Sequence, residues 1–121
     1  MPKSQKIFEV QQVGDVLVLT PRGDLGSLED QEIGSEMKAT LELMHRSSIN
    51  RVVIDFSSSK FFGSTMLGAM IKLWKRVSAA QGKMSLCNLS DHEREVLKVT
   101  KLDGVWPQLD SRQAAIDDVK K

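Results

Sequence analysis

Three kinds of side chain in this sequence could carry out chemistry: a pair of adjacent hydroxyls, one thiol and two imidazoles. Ser64 and Thr65 precede an apolar, helix-like stretch, and at a helix start the free backbone amides and the helix dipole favour an anion such as phosphate. Cys87 lies among apolar and small residues, which favours a buried and inert thiol. His45 and His92 have no cysteine or second histidine at ligand spacing, so we predict no metal site.

The hydroxyl pair has two interpretations from its residues alone. A phosphate on either hydroxyl would add about −1.5 to −2 charges and could thereby remove or create a contact with a partner. Alternatively, Ser64 caps the helix, which is a common role for serine. The sequence contains neither a Gly-x-x-x-x-Gly-Lys-Ser/Thr loop nor a Gly-x-Gly-x-x-Gly turn, and we predict no catalytic residue and no cofactor.

The composition is that of one small domain without a strong charge bias. The chain has 121 residues, of which 17 are basic and 16 acidic, for a formal net charge of +1; this favours neither direct nucleic-acid binding nor membrane binding. No stretch approaches the roughly 20 apolar residues of a membrane span, the start lacks the apolar region of a signal peptide, and a lone cysteine forms no internal disulfide. We therefore expect a cytoplasmic protein with one domain over residues 1–121, in which residues 1–5 form a disordered tail.

The first half of the chain has the pattern of a hairpin, a helix and a buried strand. Residues 7–12 and 16–20 are rich in β-branched and apolar side chains and are separated by a Val-Gly-Asp turn. From residue 28, apolar side chains recur at helical spacing. Residues 52–54 form a continuous β-branched run, which is typical of a central strand covered on both faces.

The next part of the chain predicts a helix, a strand and a second, shorter helix. Residues 65–81 carry an apolar stripe and are followed by Gly82, a residue at which helices commonly end. Residues 84–89 have the pattern of a strand. Ser90 and Glu93 have the Ser-x-x-Glu spacing of a capping box, which predicts a helix start there.

The end of the chain adds one strand and one helix. We place a short strand within residues 102–109, around Val105 and Trp106 and interrupted by Pro107. The last helix begins with a cap at Asp110 or Ser111. Strands that alternate with helices after an opening hairpin imply a mixed sheet that is mainly parallel. The predicted class is therefore α/β, with about five strands and about four helices.

The order of these motifs resembles the STAS family, named for sulfate transporters and anti-sigma factor antagonists, over nearly the whole chain. Gly23-Asp24-Leu25 resembles the family's Gly-x-Leu-Asp element, and residues 52–55 resemble its apolar strand that ends in aspartate. Ser64-Thr65-Met66-Leu67-Gly68 resembles its Asp-Ser-Ser-Gly-Leu-Gly element. Residues 82–88 and 99–103 are similar to its fourth strand and to the turn after its third helix.

This resemblance implies an anti-sigma-factor-antagonist-like fold and a regulator that is not an enzyme. The unmodified domain would dock on an anti-sigma factor, usually a serine kinase, and so free a sigma factor. The kinase would phosphorylate the serine that matches Ser64, with Thr65 as the alternative; docking would be lost, and a serine phosphatase would reverse the change. The resemblance implies that the docking surface contains Asp24, Gly63, Ser64, Thr65, Met66, Leu67 and Gly68.

Two departures from the family pattern keep other functions open. Gly63 replaces the acidic residue before the phosphoserine, and Gly26 replaces the acidic end of the Gly-x-Leu-Asp element. Both motivate a phosphorylation-independent STAS interaction module as an alternative, and a small-ligand sensor is a further one. Met66 replaces a family glycine and would either extend the docking surface or pack in the core. We expect Trp74 and Trp106 in the core or partly buried.

Overall fold

The computed structural model describes residues 7–22 and 30–121, and these residues form one sheet flanked by helices. Strands and helices alternate after an opening hairpin. The predicted tail at residues 1–5 and the predicted helix start at residue 28 lie outside the described residues. The bounds are Phe8–Val13 (β1), Val16–Pro21 (β2), Asp30–Ser47 (α1), Arg51–Asp55 (β3), Ser64–Ala79 (α2), Lys83–Cys87 (β4), Asp91–Val99 (α3), Gln108–Leu109 (β5) and Arg112–Val119 (α4).

The strands form a five-stranded mixed sheet in the order β1-β2-β3-β4-β5. β1 and β2 are antiparallel, and Val13 pairs with Val16 across the turn. The pairs β2–β3, β3–β4 and β4–β5 are all parallel. Gly14 has a φ of +62°, a conformation that glycine adopts without a Cβ penalty and that permits the tight hairpin turn. The predicted α/β class with a mainly parallel sheet is confirmed.

Alternate side chains of the central strands supply a core on each face of the sheet. Leu17 and Ile54 belong to the larger core, to which α1, α2 and α3 contribute. Val18 and Val53 belong to the smaller core with Ala115 and other residues of α4. Because both faces are covered, these strands are apolar at nearly every position, as residues 52–54 predicted.

Two helix starts follow the predicted capping chemistry. The Ser90 hydroxyl accepts a hydrogen bond from the Glu93 amide, and the Glu93 carboxylate accepts one from the Ser90 amide, so the predicted capping box is confirmed. At α4 the cap is Ser111, whose hydroxyl accepts from the Ala114 amide.

The end of α2 depends on two adjacent residues. Gln81 takes the left-handed conformation with a φ of +58°, and the Gly82 amide donates to the Val77 carbonyl at 2.8 Å. This is the hydrogen-bond pattern that commonly closes a helix. A Cβ at position 82 would lie 1.8 Å from the Asn50 carbonyl oxygen, so Gly82 is needed for close packing against the neighbouring connection.

The last strand begins later than predicted. β5 is only Gln108–Leu109, which lies inside the predicted range 102–109 but after its predicted centre at Val105 and Trp106. The Val105 amide is used in a turn, and the first sheet hydrogen bond in this region runs from the Leu86 amide to the Pro107 carbonyl at 2.9 Å. Pro107 has no amide hydrogen to donate, so the ladder forms after it.

The two tryptophans lie between α2 and the segment before β5. Trp106 is buried, Trp74 is partly exposed, and their rings meet edge to face with centroids 6.4 Å apart. The expectation that both are core or partly buried is confirmed.

Candidate functional site

The β3–α2 loop, residues 56–63, follows the carboxyl end of a parallel strand. In open α/β sheets this is the edge at which ligands bind. The loop follows Asp55, the last residue of β3, and leads into Ser64, the first residue of α2. The predicted position of Ser64 at a helix start is confirmed, and the helix begins one residue earlier than its predicted start at residue 65.

Ser64 is not the cap of this helix. The N-cap is Gly63, whose extended backbone (φ −110°, ψ −165°) brings no side chain to the free amides. The Ser64 side chain is exposed and makes no hydrogen bond to any residue in the described ranges. The first turn of α2 also carries no acidic side chain, so its own residues leave the positive end of the dipole uncompensated. The capping interpretation is therefore wrong, and the hydroxyl is exposed on the surface.

The predicted docking residues divide by burial. Ser64 and Gly68 are exposed, and Gly63 and Thr65 are half-buried. Met66 is completely buried and Leu67 is only 8% exposed, so these two pack in the core and support the surface from beneath. For Met66 the core interpretation is therefore the correct one. Asp24, together with Gly23, Leu25 and Gly26, lies outside the described residues.

Phe61, which the sequence pattern did not single out, adds an exposed aromatic ring three residues before Ser64. Its side chain is 40% exposed and meets His92 edge to face with ring centroids 5.8 Å apart. The adjacent Phe62 is buried and packs against Phe56. Two neighbouring phenylalanines look alike in a sequence, and only the path of the loop decides which one is buried. We call the exposed and half-buried residues here the α2-start surface: Phe61, Gly63, Ser64, Thr65 and Gly68.

A buried glutamate on α3 holds the loop in place. The Glu93 carboxylate accepts hydrogen bonds from the Ser59 hydroxyl at 2.7 Å and the Ser90 amide at 2.9 Å. The Ser90 hydroxyl in turn donates to the Lys60 carbonyl. Burial raises the pKa of Glu93 above its usual value, and the hydrogen bonds from Ser90 and Ser59 offset this only in part. The capping box was predictable, but its reach to the β3–α2 loop was not.

Asp55 is the centre of a polar network at the carboxyl ends of the strands. Its Oδ1 accepts from the Ser57 amide at 2.9 Å and from Asn88 Nδ2 at 3.0 Å, and its Oδ2 accepts from Arg112 Nε at 2.8 Å. Burial alone would raise the pKa of Asp55, but hydrogen bonds from Asn88, Ser57 and Arg112 together lower it below its usual value. The ionised carboxylate is therefore fully engaged in holding the first residues of the loop.

Arg112 connects α4 to this network. Besides Asp55, its guanidinium donates to Thr20 Oγ1 at 2.9 Å and to Gln11 Oε1 at 2.6 Å, so one side chain reaches residues of three strands. A cation at the first residue of a helix opposes the helix dipole. Its position is explained by Asp55 and the strand ends, and not by the stability of α4.

Cys87 contributes no reactive thiol to this edge. The residue is fully buried. Burial, together with the negative charge of Asp55, raises the pKa of Cys87 to about 12, and a thiol that stays protonated is a poor nucleophile. The predicted buried, inert thiol is confirmed.

Neither metal ligands nor a membrane span are found in the described part of the chain. Within residues 7–22 and 30–121, no three histidine, cysteine, aspartate or glutamate side chains come together as a metal site would require. No helix in these same ranges is long and apolar enough to cross a bilayer.

The fold agrees with what comparison with known proteins shows. A family model for the STAS domain matches residues 8–115, and the chain therefore belongs to the STAS domain family. Its fold is that of anti-sigma factor antagonists, which are regulatory proteins.

Particular relatives are similar to the chain over most of their length. The chain is 26% identical over 106 residues to BtrV of Bordetella bronchiseptica, provisionally named an anti-sigma factor antagonist, with 88% of each chain covered. The crystal structure of the similarly named TM1081 from Thermotoga maritima has a TM-score of 0.84 at 21% identity, over 98% of both chains. The Bacillus anti-sigma factor antagonist SpoIIAA, in its unphosphorylated form, has a TM-score of 0.81 at 19% identity, over 93% of this chain and 96% of its own. These two structures show the fold alone.

Proposed function

We propose that this chain is a cytoplasmic anti-sigma factor antagonist that acts by partner switching. Unmodified, it docks on an anti-sigma factor that is also a serine kinase, and this docking frees a sigma factor. The kinase's bound nucleoside triphosphate donates its terminal phosphoryl group to Ser64 Oγ, the hydroxyl proton leaves, and docking ends. A serine phosphatase hydrolyses the ester and restores the first state. The exposed, unbonded Ser64 hydroxyl at the first residue of α2 in a STAS fold is the observation that carries the proposal.

The α2-start surface is suited to docking before modification because it carries no charge. Gly68 lies one helical turn after Ser64 and is exposed, and a Cβ there would meet nothing within 4 Å. The missing side chain lets the backbone of a partner approach α2 closely. The exposed ring of Phe61 provides apolar area of the kind that anchors protein interfaces.

A phosphate on Ser64 would change this surface without a change of fold. It would add about −1.5 to −2 charges and three acceptor oxygens beside the positive end of α2, which stabilises an anion. Residues 56–90 contain no aspartate or glutamate, so no carboxylate of the loop or of α2 opposes the new charge. The added charge and bulk would weaken the contact with the docked partner.

The proposal is tested by capture from a host lysate on immobilised wild-type, Ser64→Ala and Ser64→Asp protein. We expect wild type and Ser64→Ala to capture the same anti-sigma kinase and Ser64→Asp to capture at least about tenfold less of it. Ser78→Asp makes the same change at an exposed position near the other end of α2 and should retain the partner. Equal capture by wild type and Ser64→Asp would refute the charge switch. Failure of every form to capture a kinase-like protein would refute the anti-sigma assignment.

A second candidate is a STAS interaction module that is never phosphorylated, and Gly63 is the observation that favours it. At the N-cap it offers no carboxylate to orient the acceptor hydroxyl for a kinase. Mass spectrometry of the protein isolated from its host separates the two functions. A stable phosphate on Ser64 or Thr65 would exclude the second candidate, and its absence under every condition in which the partner dissociates would exclude the first.

A further inference from the structure

A second surface lies at the opposite end of α2, where its last turn runs beside the carboxyl-terminal half of α1. A groove of about 360 Å³ separates the two helices there. Leu41 is half-buried and packs against the main core, which gives the groove an apolar inner side. We call this the α1–α2 groove, and its lining residues are Lys38, Leu41, Glu42, His45, Arg46 and Arg76.

The cations of the α1–α2 groove have no anionic partner among the residues that the structure describes. Lys38, Arg46 and Arg76 form no ion pair with any carboxylate in the described ranges. Glu42 stands four residues before Arg46, a spacing that favours a helical ion pair, yet the pair does not form. Three permanent positive charges therefore line a concave surface with one carboxylate among them.

The charge distribution extends this positive surface along α2. α2 carries three basic residues, Lys72, Lys75 and Arg76, and no acidic one, although the whole chain has a formal net charge of only +1. Arg46 and Arg76 lie in the last turns of their helices, where a cation complements the negative end of the dipole. Lys38, Lys72 and Lys75 lie before those turns, so the dipoles do not account for them.

We propose that the α1–α2 groove binds an acidic, amphipathic segment of another protein chain. Its carboxylates would pair with the cations at the rim, and an apolar side chain would cover Leu41. The cations stand on long side chains along an open surface, which matches charges distributed along a segment.

This inference goes beyond the proposed function and does not depend on it. Arg76 is twelve residues after Ser64 on α2, which places the two about 18 Å apart along the helix axis. That separation exceeds the Debye length of about 8 Å at physiological ionic strength. Modification of Ser64 should therefore leave the groove's affinity unchanged.

The test is an NMR titration of isotopically labelled full-length protein with a synthetic peptide that has glutamates and leucines at helical spacing. We expect saturable shifts confined to the second half of α1 and the last turns of α2. The double variant Arg46→Glu, Arg76→Glu should weaken binding by about tenfold or more. The double variant Lys120→Glu, Lys121→Glu, an equal charge change at exposed positions directly after α4, and Ser64→Asp should each change it by less than about twofold. If the double variant loses its dispersed spectrum, Arg46→Gln and Arg76→Gln are used singly, each with an expected weakening of about threefold.

Several results would overturn the inference. They are shifts centred outside the groove, equal affinity of wild type and the groove variants, and equal binding of the peptide with lysine in place of glutamate. Saturable displacement of the peptide by inorganic phosphate would assign the groove to small anions instead. Binding to phosphatidylglycerol vesicles through the same residues would assign it to a membrane surface. A failure confined to Ser64 variants in lysate capture would concern the proposed function and leave the groove unaffected.

Discussion

The N-cap position of α2 is occupied by Gly63 and not by Ser64. Ser90 and Ser111 are also at helix starts, but they occupy the N-cap position and accept amide hydrogen bonds through their hydroxyls. Ser64 is one position further on, after Gly63, and its hydroxyl has no such bond. A sequence pattern identifies all three as serines near helix starts. Only the backbone path shows which hydroxyl makes no cap hydrogen bond.

The ion pair between Arg112 and Asp55 gives a prediction at a single residue. Arg112→Ala leaves a buried carboxylate without its cation, and we expect the free energy of unfolding to fall by about 2 kcal/mol. The loss is smaller than for a fully buried pair because the Arg112 side chain is 35% exposed. Arg112→Lys retains the charge but not the planar fork and should recover part of the loss. Urea denaturation at neutral pH measures both, and a change within error for Arg112→Ala would contradict the prediction.

The lowered pKa of Asp55 predicts how stability depends on acidity. The folded-state pKa lies below the usual value near 3.8, so ionised Asp55 stabilises the fold above that value and this contribution is lost as pH falls through the folded pKa. Asp55→Asn has no ionisable carboxylate and therefore lacks this stabilising contribution at every pH. The stability gap between wild type and Asp55→Asn should therefore narrow as pH falls from about 5 towards about 3. A gap that stays constant in denaturation curves over that range would disprove this role for the carboxylate.

At the scale of elements, local chemistry predicted most starts and ends, and non-local contacts account for the failures. The hairpin, the buried central strand and the capping box of α3 depend on neighbours within a few residues, and all three are confirmed. β5 depends on which of its residues can pair with β4, and Pro107 moves that pairing to residues 108–109. Glu93 and Ser59 are 34 residues apart in the sequence, so no local pattern could have predicted the hydrogen bond between them.

Glu93 provides a prediction about the connection between α3 and the β3–α2 loop. Burial raises its pKa in the folded state, so the ionised carboxylate costs stability at neutral pH, and this cost disappears as pH falls through the folded pKa. Glu93→Gln removes the charge but retains hydrogen-bonding atoms for Ser90 and Ser59. We expect it to be at least as stable as wild type at neutral pH, with an advantage that shrinks towards about pH 4.5.

Glu93→Ala is the matched variant for this prediction. It leaves the Ser90 amide and the Ser59 hydroxyl without an acceptor and should cost about 2 kcal/mol in the free energy of unfolding. Thermal and urea unfolding measure both variants. If Glu93→Gln and Glu93→Ala are destabilised equally, the hydrogen bonds to the loop are not what Glu93 contributes.

A substitution at Gly68 on α2 should affect helix stability and docking in opposite directions. Alanine is the better helix former by about 1 kcal/mol, and a Cβ at position 68 meets nothing within 4 Å. Gly68→Ala should therefore stabilise the protein while weakening the anti-sigma partner's affinity by about fivefold or more through loss of close approach. Gly34→Ala on α1 has the same open space and should give the stability without the loss of affinity. If calorimetry gives equal affinities for the two variants, Gly68 is not part of the docking surface.

For the whole molecule, the sequence pattern and the family resemblance predicted the fold, the helix start at Ser64 and the elements around it. They could not predict the network that holds this edge together, because Asp55 and Arg112 are 57 residues apart and meet only after the sheet has formed. Nor could they show which of the predicted docking residues are exposed and which are buried. Met66 and Leu67 became core residues when α2 packed on the sheet, which left its two ends as separate surfaces.

The central claim is that charge at Ser64 controls docking, and one affinity measurement tests it most directly. Isothermal titration calorimetry compares the purified anti-sigma partner binding to wild-type protein and to protein stoichiometrically phosphorylated on Ser64, each at low and physiological salt. We expect phosphorylation to raise Kd by at least about tenfold at both salt concentrations, with Ser64→Ala binding like unmodified wild type. Equal Kd values for the phosphorylated and unmodified proteins would contradict the claim.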